Sequence, residues 1–125
     1  MASDNEHCGD RGRECTITVS NPVLRGMYPD PSWIWDTTRE EIVLVNSSFE
    51  LVPGLPIHTT RDLVTWTRTA NAVDETMSHR LLIDGAEDSG GLYAPTIRRI
   101  GGRYVIVCTV ARVDEVKALA AGCSQ

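Results

Sequence analysis

One pattern occurs twice along this chain. P-S-W-I opens at Pro31 and leads into the apolar run E-I-V-L-V-N-S at Glu41 to Ser47. P-T-I-R opens at Pro95 and leads into R-Y-V-I-V-C-T-V at Arg103 to Val110. Placing Pro31 over Pro95 gives an offset of 64 residues, and Val43 over Val105 an offset of 62. The difference of two means that the second hairpin is tighter, and the Gly101-Gly102 pair suits a two-residue turn. A proline-led strand, a hairpin and an apolar strand, used twice, predict an all-β fold. It would be built from a repeated four-stranded unit, as in the blade of a β-propeller.

The segments between fit that frame. Ser32 to Asp36 reads as a short aromatic and β-branched strand, with D-T-T-R-E as the polar hairpin connection after it. The run at Glu41 to Ser47 is nearly continuous in apolar residues, as expected of a strand covered on both faces. Leu55 to Thr60 and Leu63 to Arg68 are the next two strands, flanking T-R-D, where Asp62 can bond the local backbone. Residues 69 to 91 are polar and turn-rich. They read as one long connection with a short helical turn at Ser78 to Ile83, which lengthens the repeat beyond the commoner blade motifs. One unit is complete and the second half made. The tail D-E-V-K-A-L-A-A-G instead carries the acidic start, helix formers and final Gly122 of a helix. The expected division is a flexible leader over 1–20, a β region over 21–110 and an atypical, helix-like tail over 111–125.

Composition excludes several partners. A net charge of −5, with no Lys/Arg run longer than two, gives no positive patch for nucleic acid or an anionic membrane surface. No apolar run reaches spanning length, so no membrane partner is expected. The polar N-terminus M-A-S-D-N-E-H-C lacks the apolar middle of a secretory signal. The chain as given is therefore expected to be intracellular, or secreted if its true N-terminus is missing. Cys8, Cys15, Cys108 and Cys123 show no C-x-x-C spacing, so no zinc site is expected and Cys108 reads as a buried thiol.

Three further stretches occur in a fixed order: N-P-V-L-R-G-M-Y-P-D-P-S, then V-N-S-S-F-E-L-V-P-G-L-P-I-H-T-T-R-D-L-V-T-W, then G-G-L-Y-A-P-T-I-R. Together they closely resemble the opening of glycoside hydrolase family 43, nearest to its β-xylosidase and α-L-arabinofuranosidase branch. The likeness runs from Asn21 to about Thr109. It implies a five-bladed β-propeller, of which about one and a half blades are present here, with an active site on the axis. It also implies inverting hydrolysis of O-glycosyl bonds in xylan- or arabinan-type chains. No cofactor or metal is implied for the residues present, and the partner would be a xylo- or arabino-oligosaccharide. Three carboxylates carry the family's chemistry: an Asp base, a second Asp that tunes pKa and position, and a Glu acid. The base lies in P-D-P-S, which matches Asp30.

The chemistry explains why such an aspartate should be held firmly. An inverting enzyme activates water with one carboxylate and protonates the leaving oxygen with another, the two roughly 6.5–9.5 Å apart. Misplacement by about 1 Å is costly. Pro29 fixes its own φ, and Pro31 restricts Asp30 to extended backbone, so the pair should brace it at the inner end of the first strand. Read from local sequence alone, Asp30 is a turn aspartate before a strand; the flanking family motifs turn the reading to the base.

Phe49 matches a family position whose ring lines the sugar pocket, because sugar C–H faces stack on aromatic rings; a plain core phenylalanine is the other reading. Tyr93-Ala94 falls where the family usually has Trp-Ala. Tyr93 keeps a ring there but changes the subsite, and the small Ala94 lets a sugar come close. Trp33, Trp35 and Trp66 read as packing between strands, and His58 as a packed histidine or a pocket-rim residue. Asp74, Asp84, Glu87 and Asp88 read as a solvated acidic stretch.

The tuning Asp and the acid Glu lie in later blades of the family. Nothing after Tyr93 matches them, and Asp114 and Glu115 sit in the mismatched tail. The expectation is a hydrolase lineage whose 125 residues are inactive alone. A non-catalytic carbohydrate-binding or assembly module, holding sugar through Phe49 and Tyr93, is the alternative.

Overall fold

The computed structural model describes residues 16–81 and 90–112. The expectations for residues 1–15, for Asp84, Glu87 and Asp88, and for the tail from residue 113 lie outside them.

Among the described residues, six strands form two sheets, with one short helix between them in the chain. The first sheet has the order β1 (Ser32–Asp36), β2 (Glu41–Val45), β3 (Gly54–Thr60), β4 (Thr67–Val73), each strand antiparallel to the next. Helix α1 (Glu75–Leu81) follows, and β5 (Gly91–Ile100) pairs antiparallel with β6 (Arg103–Ala111) as the second sheet. The sequence repeat is a repeat in register. Ser32 pairs with Val45 in the first hairpin and Thr96 with Val107 in the second, the same two positions once Pro31 is laid on Pro95 and Val43 on Val105. The second hairpin closes through Gly101 and Gly102 at φ 56° and 78°, the left-handed pair that a two-residue turn requires.

Side-chain alternation explains how the sheets meet. Val43, Val45 and Leu55 of the first sheet and Leu92 and Ile97 of the second are buried together with Val73. Leu44, on the opposite face of β2, is buried as well, so this strand is covered on both sides as its unbroken apolar run requires. A polar staple joins the sheets at the hairpin end. Asp36, buried at the end of β1, accepts hydrogen bonds from the backbone of Thr38 (2.8 Å) and Arg39 (3.2 Å), from Arg99 Nη1 (2.8 Å) and from the Tyr104 hydroxyl.

Several local expectations need correction. The fourth strand is Thr67–Val73, not Leu63 to Arg68. Leu63 to Trp66 form the turn before it, in which Asp62 Oδ1 accepts from the backbone of Val64 (2.9 Å) and Thr65 (2.7 Å). Residues 69–73 are therefore strand rather than connection. The helix begins earlier than Ser78, because Asp74 caps it by accepting from Met77 N at 2.7 Å. Trp33 and Trp35 are 60% and 49% exposed on the face of β1 turned away from the second sheet. Trp66 sits half-buried in the turn, its Nε1 donating to Leu63 O at 3.1 Å. Cys108 is half-buried, and burial raises its thiol pKa.

Candidate active site

Antiparallel pairing of Ser32 with Val45 sets the chain before β1 abreast of the chain after β2. The first is Y-P-D-P, the second N-S-S. All three polar residues of that second run are buried, so each must find a partner. Asn46 Nδ2 donates to the Tyr28 carbonyl at 2.8 Å and the Pro29 carbonyl at 3.3 Å. Ser47 N donates to Pro29 O at 3.0 Å, and Ser47 Oγ donates to Asp30 Oδ2 at 2.6 Å. Ser48 Oγ accepts from Leu55 N at 3.0 Å.

Asp30 is thereby held by β2's continuation as well as by its prolines. Its backbone is not extended as a residue before proline would prefer; it has φ 50°. The hydrogen bonds to Tyr28, Pro29 and Asp30 hold the loop in that left-handed conformation. Its side chain reaches solvent, and among the described residues Oδ1 has no hydrogen-bond partner.

Ser47 also reaches the second sheet. Its Oγ accepts the Ala94 amide at 2.8 Å, so Asp30 and Ala94 are two hydrogen bonds apart. Ala94 is exposed at φ 45°. Phe49, at φ 53°, exchanges backbone hydrogen bonds with Leu92 (3.0 and 2.9 Å). The Phe49 and Tyr93 rings stack at 4.5 Å with 26° between planes, both half-buried. Three non-glycine residues in the left-handed region thus border one place, and backbone strain of about 1–3 kcal/mol per residue gathers at functional sites. Gly91 permits the close approach: a Cβ there would stand 1.9 Å from Phe49 O.

All four residues singled out from the sequence fall in this neighbourhood, linked pairwise by Ser47 or by ring stacking. Sequence reasoning missed Ser47 and Asn46. Their signal was three consecutive polar residues at the end of an apolar strand. His58 has no hydrogen bond to this set among the described residues but packs against it through Tyr28. It is 2% exposed, packed edge-on to Tyr28 at 4.8 Å, and its pKa is lowered, first by burial and then by Arg68.

A separate cleft of about 300 Å³ lies between β3–β4 and the second sheet, lined by Ile57, Thr69, Ile97 and Tyr104 among others, and includes none of the four. Among the described residues no group of three His, Cys, Asp or Glu side chains could hold a metal ion, and no helix is long and apolar enough to cross a membrane.

Two antiparallel sheets thus border an exposed aspartate at a left-handed φ and a pair of stacked rings. Comparison with known proteins gives the family. Residues 19–121 match the model for glycosyl hydrolases family 43, and the chain belongs to that family. It is 37% identical over 92 residues to a non-reducing end alpha-L-arabinofuranosidase of Bacteroides ovatus, covering 74% of this chain and 17% of that one. It is 34% identical over 97 residues to a beta-xylosidase of Bacillus subtilis, covering 78% and 17%. Among solved structures, a xylan beta-1,4-xylosidase of Bacillus halodurans superposes with a TM-score of 0.64 at 30% identity, over 74% of this chain and 17% of that one. The chain thus spans 17% of the length of each of these relatives.

Proposed function

We propose that this chain carries the water-activating part of an inverting glycoside hydrolase site for xylan- or arabinan-type O-glycosyl bonds. Asp30 is the general base, and Oδ1 is the oxygen that takes the proton from water. Phe49 and Tyr93 supply ring faces for the sugar, and Ala94 leaves room beside them. The two sheets correspond to the first one and a half blades of a five-bladed propeller. The general acid and the carboxylate that tunes the base are supplied by sequence of the kind that relatives carry beyond the matched part. The observation that carries this reading is the Asp30 carboxylate itself: exposed, held at a left-handed φ, and tied through Ser47 to Ala94.

Two experiments test it. On this reading the 125-residue chain should not turn over nitrophenyl β-xyloside or α-L-arabinofuranoside, because none of its described residues is assigned as the acid that assists the leaving group. Residues 16–112, joined in place of the matched segment of a family 43 xylosidase, should restore turnover. Asp30→Asn in that fusion should then lower kcat by about 10²–10⁴-fold. A fusion that hydrolyses equally well with Asn at position 30 would remove Asp30 from the chemistry. The rival reading, a binding module without chemistry, rests on the stacked rings. It is favoured if the fusion stays inactive while calorimetry shows the chain binding pentose oligosaccharides.

A further inference from the structure

We infer that Ser47 is a positioning residue. Its hydroxyl is a directional relay that fixes Asp30 Oδ2 and registers the base to the Ala94 wall of the pocket across the two sheets. This rests on the reading of Asp30 above and assigns a role to a residue that neither sequence motif nor chemistry had singled out.

A serine hydroxyl has one proton to donate and lone pairs to accept with. The Ala94 N–H, at 2.8 Å, occupies the accepting side of Ser47 Oγ. The proton is then left for Asp30 Oδ2, at 2.6 Å, the short distance of a hydroxyl bonded to a carboxylate. Ser47 has no solvent exposure, so water does not reach its hydroxyl. Its own backbone is fixed as well, because Ser47 N donates to Pro29 O at 3.0 Å. One buried residue therefore clamps the loop before β1 by main chain and by side chain, and reads the position of β5 through the same oxygen.

Two consequences follow for the chemistry. With Oδ2 committed to Ser47, Oδ1 is the oxygen left to face water, so the serine selects which lone pairs do the work. Any shift of β5 relative to β1 also moves the base, since Ala94 and Asp30 share one atom as partner. Removing the hydroxyl leaves the Ala94 N–H without its acceptor and frees the carboxylate to rotate, while the packing of Val45 and Leu92 is untouched.

The test is nuclear magnetic resonance of the isotope-labelled 125-residue chain at neutral pH. Asp30→Asn, which suits a left-handed φ, should move the Ala94 amide resonance, although that amide does not touch Asp30. In a Ser47→Ala background the same Asp30→Asn change should leave the Ala94 amide where it was. Ser47→Thr, which keeps the hydroxyl, should restore the response. The amides of Thr38 and Val64, bonded to Asp36 and Asp62, report whether each variant is folded. An Ala94 amide indifferent to Asp30→Asn overturns the relay, as does a response of unchanged size in folded Ser47→Ala. If Ser47→Ala does not fold, an Ala94 amide unmoved by Asp30→Asn alone still overturns the relay. These outcomes are separate from the base assignment, which stands or falls on turnover by the fused enzyme.

Discussion

Arg99 on β5 donates from Nη1 to Asp36 Oδ1 at 2.8 Å, tying the end of β1 to a strand 63 residues further along. The same guanidinium nitrogen donates to Thr38 Oγ1 at 2.9 Å. The Tyr104 hydroxyl takes the other carboxylate oxygen. The second sheet has only two strands among the described residues, and this staple holds its hairpin end on the first, while Leu92 and Ile97 packing and the Ser47–Ala94 and Phe49–Leu92 hydrogen bonds hold the other.

Removing the charge at Asp36 should therefore loosen the hairpin end of both sheets. The Tyr104 hydrogen bond, then the Thr38 and Arg39 amides and Arg99, hold its pKa below the ordinary 3.8 despite burial, which pushes it up. Asp62 is lowered to about 2, chiefly by the Thr65 and Val64 amides. For both, the unfolded chain binds protons more readily than the folded one. Their stabilisation is full above 3.8 and is lost as pH falls through the folded values. Asp36→Asn should lower the thermal midpoint at neutral pH and flatten its decline as pH falls below 3.8. Thermal denaturation followed by circular dichroism at several pH values measures both, and an unchanged acid slope would remove Asp36 from the account.

His58 should give a second, separate acid limb. Burial, and then the charge of Arg68, lower its pKa below the ordinary 6.5. The folded protein resists protonating it, so stability is intact above 6.5 and falls as pH drops below that value. Its Nδ1 is buried with no hydrogen-bond partner, so a charged imidazolium would be left unsatisfied there. His58→Leu should weaken the fall of the melting temperature that begins as pH drops below 6.5, while leaving the lower limb in place.

Gly91 is the position where a single methyl group should do most damage. Its φ is 116°, and a Cβ would meet Phe49 O at 1.9 Å and Glu50 N at 2.6 Å, both backbone. Gly91→Ala must break the Phe49–Leu92 bridge or move β5. A loss of about 3 kcal/mol or more in urea denaturation is expected from strain and overpacking together. The neighbouring ring stack should be lost with it, seen as a change in near-ultraviolet circular dichroism. Gly101→Ala, where a Cβ meets nothing within 4 Å, is the control and should cost far less.

The two hairpins were legible in the sequence because β1, β2, β5 and β6 carry strong patterns and a diglycine turn. β4 was not legible, because T-R-T-A-N-A-V has no apolar alternation and four of its seven residues are exposed. It is a strand by virtue of pairing with β3 rather than by its own composition. Trp33 and Trp35 were misjudged for a related reason. Period-two alternation puts them on one face of β1, but not on the face that meets the second sheet. At the site, the P-D-P motif pointed to Asp30 but suggested an extended backbone. The left-handed φ is dictated by Asn46 and Ser47, partners about 17 residues away that no local rule contains.

The ring pair offers a direct measure of whether the pocket wall is preformed. Phe49 sits at a left-handed φ beside Leu92, and Tyr93 follows Leu92 on β5, so the 4.5 Å stack depends on the same backbone bridge that positions Ala94. Stacked aromatic pairs couple by about 0.5–1.5 kcal/mol beyond their area. A double-mutant cycle of Phe49→Ala and Tyr93→Ala in urea denaturation should return a coupling in that range. Both residues are half-buried, and on the proposed reading the exposed part of each ring is what a sugar would meet. Either single change should also weaken any pentose binding seen by calorimetry, whereas Trp33→Ala, on the far face of β1, should leave it unaltered. Strictly additive stabilities would mean that the rings touch without supporting each other, and the wall would then form only around bound sugar.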